Sequence, residues 1–215
     1  MSVIVKDLLI DQLFSNNEDH HELETPKFFK DVYYETTVIS SEDQGNGCVA
    51  NVVSLKDLDI VLKWSRCPDD YYYLLDEIRY HNVFYLLGLA PKIRQTYRDY
   101  YSTYVFMDNL KNLGYYLVAD FKLTNEIITD LANAFIVLHD NCLTHGDAHA
   151  YNIFYNASLR SVKFIDFSYA KFHKTRDIAF ENEYFENDSW LDQGFISKNW
   201  YRIKKKYLKI METRK

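Results

Sequence analysis

The chain has 215 residues, 47% of them hydrophobic and 26% charged, with a formal net charge of -6, a balance that predicts a folded core and excludes disorder. Aromatic residues reach 17% while Gly and Pro total nine, which excludes collagenous, linker-rich and low-complexity chains; no repeat recurs at solenoid periods. The longest apolar stretches, around Val83 to Leu89 and Phe135 to Leu138, fall far short of the ~20 residues of a membrane span, so no transmembrane helix is expected.

Three cysteines, Cys48, Cys67 and Cys142, form no C-x-x-C pair. Few and odd in number, they read as small core residues in a reducing, intracellular compartment, cytoplasm or nucleus. The Tyr- and Asn-rich composition accords with an AT-rich genome, as in a virus, some bacteria or protists; for a virus the compartment is the host cell's. Met1 to Phe14 alternates apolar residues with Asp and Lys and lacks the parts of a secretion signal.

Along the chain, the polar run Asn16 to Glu22 reads as a surface loop, and Phe28 to Ile39 supplies Val, Tyr and Thr suited to strands. A strand, turn, strand unit follows through Gln44 to Val53, and Asp59 to Trp64 has buried-strand character. Between Tyr71 and Leu87, the positions Tyr73, Leu74, Ile78, His81, Phe84 and Tyr85 recur at helical spacing, with Gly88 just past the end and Pro91 barring continuation. Thr103 to Met107 is a strand candidate, and Asp108 to Leu110 begins a polar crossing before Leu113 to Val118. From Asn125 to His139 a stripe of Ile127, Ile128, Leu131, Ala134, Phe135 and Leu138 predicts a helix capped by Thr124 or Asn125. Ile153 to Tyr155 and Val162 to Ile165, split by Asn156-Ala157-Ser158, predict a hairpin that sets Asn152 beside Asp166.

The C-terminal segment 198–215 carries eight Lys or Arg against one Glu, a local charge of +7, which leaves -13 on the first 197 residues. Two readings stand side by side. One is a handle for RNA, anionic lipid or an acidic partner; the other is a closing helix with a solvated cationic face and Tyr201, Tyr207 and Leu208 packed inward.

The most informative stretch is His145-Gly146-Asp147-Ala148-His149-Ala150-Tyr151-Asn152, followed fourteen residues past the asparagine by Asp166-Phe167-Ser168. Asp147, Asn152 and Asp166 at this spacing are what a nucleotide-dependent phosphoryl transferase needs: one carboxylate to orient a hydroxyl and two oxygen ligands for Mg²⁺. The bland alternative is that Asp and Asn here merely form the turns flanking a hairpin.

Further pieces appear in order: Gly45-Asn46-Gly47-Cys48-Val49-Ala50-Asn51-Val52, then Lys63 in a Val-Leu-Lys strand, then Glu77 on the following helix. With these, the chain resembles the protein-kinase-like superfamily over roughly Ile39 to Phe172. Its H-G-D-x-H-x-x-N form resembles the aminoglycoside and choline phosphotransferases. The H-G-D opening also resembles RIO-type atypical kinases and the small kinase of the tRNA threonylcarbamoylation complex.

The resemblance implies an α+β, two-lobed fold. A small β-rich N-terminal lobe with an extension would cover 1–107, and a truncated, mainly helical catalytic lobe ending in a basic helix would cover 108–215. It implies ATP and Mg²⁺ as cofactors, Asp147, Asn152 and Asp166 as catalytic residues, and Asn152 and Asp166 as the metal ligands. Gly45, Gly47, Val52, Lys63, Glu77, Met107 and Asn109 would bind the nucleotide, with backbone groups of 106–109 reading the adenine edge. His145 would brace the catalytic loop, and His149 either contacts transferred phosphate or braces the loop as well. Asp188 would anchor that loop or cap a helix beginning near Ser189.

Departures shape the rest. Gly146 stands in place of an arginine, Ser168 and Ala50 in place of glycines, and no activation segment with A-P-E follows. The acceptor implied is a hydroxyl on a protein or a small molecule. A kinase-shaped, non-catalytic binding module is the alternative.

Overall fold

A computed structural model describes residues 50–55, 59–65, 71–98, 103–183 and 196–214. Their fold is α+β. Strands β1 (Ala50–Leu55), β2 (Ile60–Ser65), β3 (Ile93–Arg98) and β4 (Thr103–Asp108) form an antiparallel sheet in the order β1-β2-β4-β3. Lys63 lies in its central part, opposite Val52 of β1 and Val105 of β4.

Helix α1 (Tyr71–Leu86) packs two ways. Its first half puts Leu74 against Val105 and Met107 of the sheet, with Val61, Ile78 and Ile93 at the margin. Its last turns send Val83 and Phe84 into a second, larger core. Glu77 therefore sits where the helix passes from one core to the other.

The larger core is built around α2 (Asn125–Asp140), whose buried stripe includes Ile127, Ile128, Leu131, Phe135 and Leu138. Thr124 caps this helix, its hydroxyl accepting the N–H of Ile127 at 3.3 Å. Onto the stripe fold β7 (Ile153–Asn156) and β8 (Ser161–Phe164), and later the closing helix α4 (Ile196–Glu212), through Trp200, Ile203 and Tyr207. Strand β5 (Tyr116–Leu117) extends the hairpin into a sheet of order β5-β7-β8; β6 (Leu143–Thr144) pairs with β9 (Lys171–Phe172), and α3 (Arg176–Asn182) follows.

The predicted elements at Asp59 to Trp64, Tyr71 to Leu87, Thr103 to Met107, Asn125 to His139 and the hairpin all correspond to observed ones. Three details differ. Tyr85, expected in the buried stripe of α1, is 41% exposed, and Val83 takes the core position instead. In α4, Tyr207 is buried as expected, but Tyr201 and Leu208 are exposed at 66% and 44%, and Trp200 and Ile203 provide the buried contacts. Cys142 is half-buried at a left-handed turn, φ 57°, that carries the chain from α2 into β6. Cys48, Cys67 and Asp188 lie outside the described residues. Among those residues no helix is long and apolar enough to cross a membrane.

Candidate phosphoryl-transfer site

Burying a lysine requires a compensating charge, because desolvation alone penalises the ammonium. Lys63, on β2, meets Glu77 of α1 at 2.6 Å and Asp166, beyond β8, at 3.4 Å. Burial pulls the Lys63 ammonium toward deprotonation, but the two carboxyl groups outweigh it and hold its pKa above the ordinary lysine value. Glu77 Oε1 also accepts the backbone N–H of Phe167 at 3.4 Å, while its buried Oε2 has no hydrogen-bond partner. One glutamate thus ties the sheet to the segment carrying Asp166.

Asp166 follows β8 in a left-handed backbone conformation, φ 63°, which a non-glycine residue adopts at a cost of about 1–3 kcal/mol and which clusters at functional positions. Burial pushes its carboxyl up, yet Lys63 and the Ser168 hydroxyl, which donates to Oδ1 at 2.7 Å, together hold the pKa below the usual carboxylate value. Ser168, standing where a glycine is expected, is thus a partner of the aspartate two residues before it.

The loop from His145 to Asn152 is organised from inside. His145 is fully buried and desolvation lowers its pKa, so the ring is neutral at pH 7. Its Nε2 lies 2.9 Å from the Ile165 carbonyl and its Nδ1 3.2 Å from the Asp147 N–H. The Nε2–H tautomer satisfies both partners, the ring donating to Ile165 and accepting from Asp147. This one side chain therefore fixes the backbone before Asp147 relative to that before Asp166, as the brace predicted for it would. Asn152 Nδ2 donates to the Asp147 carbonyl at 3.0 Å and to Asp147 Oδ2 at 3.2 Å. Backbone bonds from Asn152 N–H to the His149 carbonyl and from Ile165 N–H to the Asn152 carbonyl, at 2.9 and 3.0 Å, lock the base of the hairpin. His149 Nε2 stands 3.7 Å from Asp147 Oδ2, and its Nδ1 accepts the Tyr151 N–H at 3.2 Å.

Glu183, at the end of α3, was not singled out in the sequence. It is buried, with Oε2 accepting the His145 N–H and Oε1 the Gly146 N–H, each at 3.0 Å. It thus anchors the loop at its His145–Gly146 backbone. Glu183 is one of a dense run of acids from Asp177 to Asp192, and no spacing or periodicity in the sequence singles it out.

The remaining candidates separate. Gly45 and Gly47 lie outside the described residues, as does the side chain of Val52, whose backbone pairs with Lys63. Met107 is buried under α1. Asn109 joins elements: its N–H donates to the Asp59 carbonyl at 3.0 Å, its Nδ2 to Ser54 Oγ at 2.9 Å, and its Oδ1 accepts the Lys111 N–H at 3.1 Å. The Asp108 N–H is likewise engaged by the Lys92 carbonyl at 2.9 Å. Among the described residues no three His, Cys, Asp or Glu are grouped to hold a metal ion. The donor set available is instead one amide oxygen and one carboxylate, hard oxygen ligands of the kind Mg²⁺ takes when phosphates complete its shell.

No family model matches the chain, and no match to a curated protein was found.

Proposed function

We propose that this chain is an ATP- and Mg²⁺-dependent phosphotransferase of protein-kinase-like, two-lobed architecture that transfers the γ-phosphoryl group to a hydroxyl. The observation that carries the reading is the convergence of Lys63, Glu77 and Asp166, the last 103 positions from the lysine, beside the Asp147–Asn152 pair. Turn-forming residues flanking a hairpin have no reason to gather a buried lysine from another sheet. In this reading the sheet with α1 is the smaller lobe, the α2-centred core is the larger one, and the cleft lies between them.

Bound there, Mg²⁺ would screen the phosphate charge that builds up during transfer. The residues fit it: Lys63 and Ser168 both hold Asp166 Oδ1, so Oδ2 is the atom left to meet a cation, and Asn152 uses its amide nitrogen on Asp147, which leaves the amide oxygen. Lys63 pairs with α- and β-phosphate oxygens, and Glu77 holds the lysine in place. Asp147 orients the acceptor hydroxyl and takes its proton at Oδ1 or Oδ2. Electrostatic positioning of this kind, with little covalent participation by the protein, is what phosphoryl transfer requires.

The test has two parts. Thermal unfolding with ATP and Mg²⁺ at about 100 times Kd is expected to show about 2.7 kcal/mol of added stability. That stabilisation is expected to vanish in Asp166→Ala. Transfer of labelled γ-phosphate is expected to fall at least 10²-fold in Asp147→Asn with nucleotide binding retained. Nucleotide binding without any transfer would favour a kinase-shaped binding module instead, and the absence of both would overturn the site.

A further inference from the structure

The last helix places a hydroxyl deep in the larger core where packing alone has no use for one. Tyr207 is 3% exposed, and its ring stacks on Phe180 of α3 at 4.8 Å between centroids, a contact phenylalanine would make equally well. The hydroxyl lies 3.0 Å from Nδ1 of His139, a fully buried residue of α2. His139 Nε2 is 3.3 Å from Glu183 Oε2, the same oxygen that accepts the His145 N–H. The other Glu183 oxygen holds the N–H of Gly146, the residue before Asp147.

The donors and acceptors fix the direction of this chain. Glu183 presents acceptors to two backbone N–H groups, so the imidazole satisfies it best by donating from Nε2. With a proton on Nε2, Nδ1 accepts from the Tyr207 O–H 3.0 Å away. Burial raises the Tyr207 phenol to about 12, so it keeps its proton at working pH. Groups from α4, α2, the end of α3 and the loop before Asp147 are thereby joined in one buried hydrogen-bonded series.

We propose that Tyr207 is a positioning residue for Asp147, acting from the last helix through His139 and Glu183 on the His145–Gly146 backbone. The proposal rests on the phosphotransferase reading of Asp147. It makes α4 part of the working site: removing the hydroxyl takes away the bond at His139 Nδ1 that helps orient the imidazole, and the Glu183 grip on the loop loosens.

The test uses the full chain with Tyr207→Phe, which keeps the ring, and Tyr201→Phe on the exposed side of the same helix as control. ATP consumption with Mg²⁺ is followed by γ-labelled ATP, counting phosphate released to water together with label on the chain. Amide hydrogen exchange is read at His145 and Gly146. The expected result for Tyr207→Phe is a kcat lowered about tenfold at unchanged KM for ATP, with faster exchange at both amides and no such change in the control. Unchanged kcat overturns the proposal, including the case where only the melting temperature falls, which would mark Tyr207 as a packing residue. Should the unsubstituted chain consume no ATP, the phosphotransferase reading fails separately. Exchange then decides the relay: faster exchange at His145 and Gly146 in Tyr207→Phe sustains it, and unchanged exchange removes it.

Discussion

Gly146 shows how one residue carries information that a motif comparison misreads. As a departure from a family pattern it is a missing arginine; in the fold it is a position that admits no side chain. Its φ is +78°, and a Cβ would stand 2.3 Å from the Tyr169 carbonyl oxygen, a backbone atom that cannot swing away. Gly146→Ala is expected to cost more than about 2 kcal/mol in urea unfolding, through left-handed strain and that overlap together. His81 offers a prediction in pH. It is buried between Phe167 and the Pro91 carbonyl, 2.8 Å from Nε2, and desolvation lowers its pKa to about 4. The unfolded chain binds this proton near the ordinary value of 6.5, so the folded state takes up fewer protons between the two values. The contribution is absent above that range, grows as pH falls through it and reaches about 3 kcal/mol of destabilisation below pH 4. His81→Gln is expected to flatten stability against pH between about 6.5 and 4, measured by urea midpoints; an unchanged slope would mean the ring protonates in the fold. Asp147, Asn152, Asp166 and Lys63 were legible as single residues because each is a residue type that the proposed chemistry calls for, at a readable spacing. Glu183 was not, because its role is to accept backbone N–H groups, a task any buried acid performs and no local pattern encodes.

Elements were legible in proportion to how much apolar surface they bury. The α2 stripe repeats at helical spacing under a Thr cap, and its reading holds residue by residue. Strand β3 went unread: it is an edge strand with Arg94, Gln95 and Thr96 exposed and Ile93 half-buried, so it lacks the apolar run that marks a strand in sequence. In α4 the helix was predicted and its rotation was not, since aromatic and cationic residues alternate so densely that two faces compete. The buried contacts favour Trp200, Ile203 and Tyr207, which meet α2. Ile203→Ala at that seam is expected to cost about 2–4 kcal/mol in urea unfolding, against less than about 0.5 for Leu208→Ala on the opposite side. Equal costs would mean that the helix seats differently.

At the scale of the whole molecule, composition and charge made a folded chain readable, while the α+β class came from the resemblance that the order of the motifs carries, and that order also drew the candidate residues together. How the pieces meet was not, because Lys63, Glu77 and Asp166 sit on three separate elements and no local pattern records a distance between them. That separation has a consequence in time. The Lys63–Asp166 contact closes a loop of 103 residues, and the Glu183 anchor spans another 38 from His145. Local turns and the β7–β8 hairpin form early in a folding chain, whereas contacts of such range must first meet the entropy of closing the loop. The ion triad is therefore expected to assemble after the rate-limiting barrier. In a chevron experiment, Lys63→Met is expected to leave the refolding arm in place and raise the unfolding rate, the pattern of a contact absent from the transition state. A slowed refolding arm would put the triad in the nucleus. Under the proposed function, a chain that completes its site last passes its folding barrier before it could recognise a nucleotide, so a bound nucleotide would slow escape from the native state and leave the approach to it untouched.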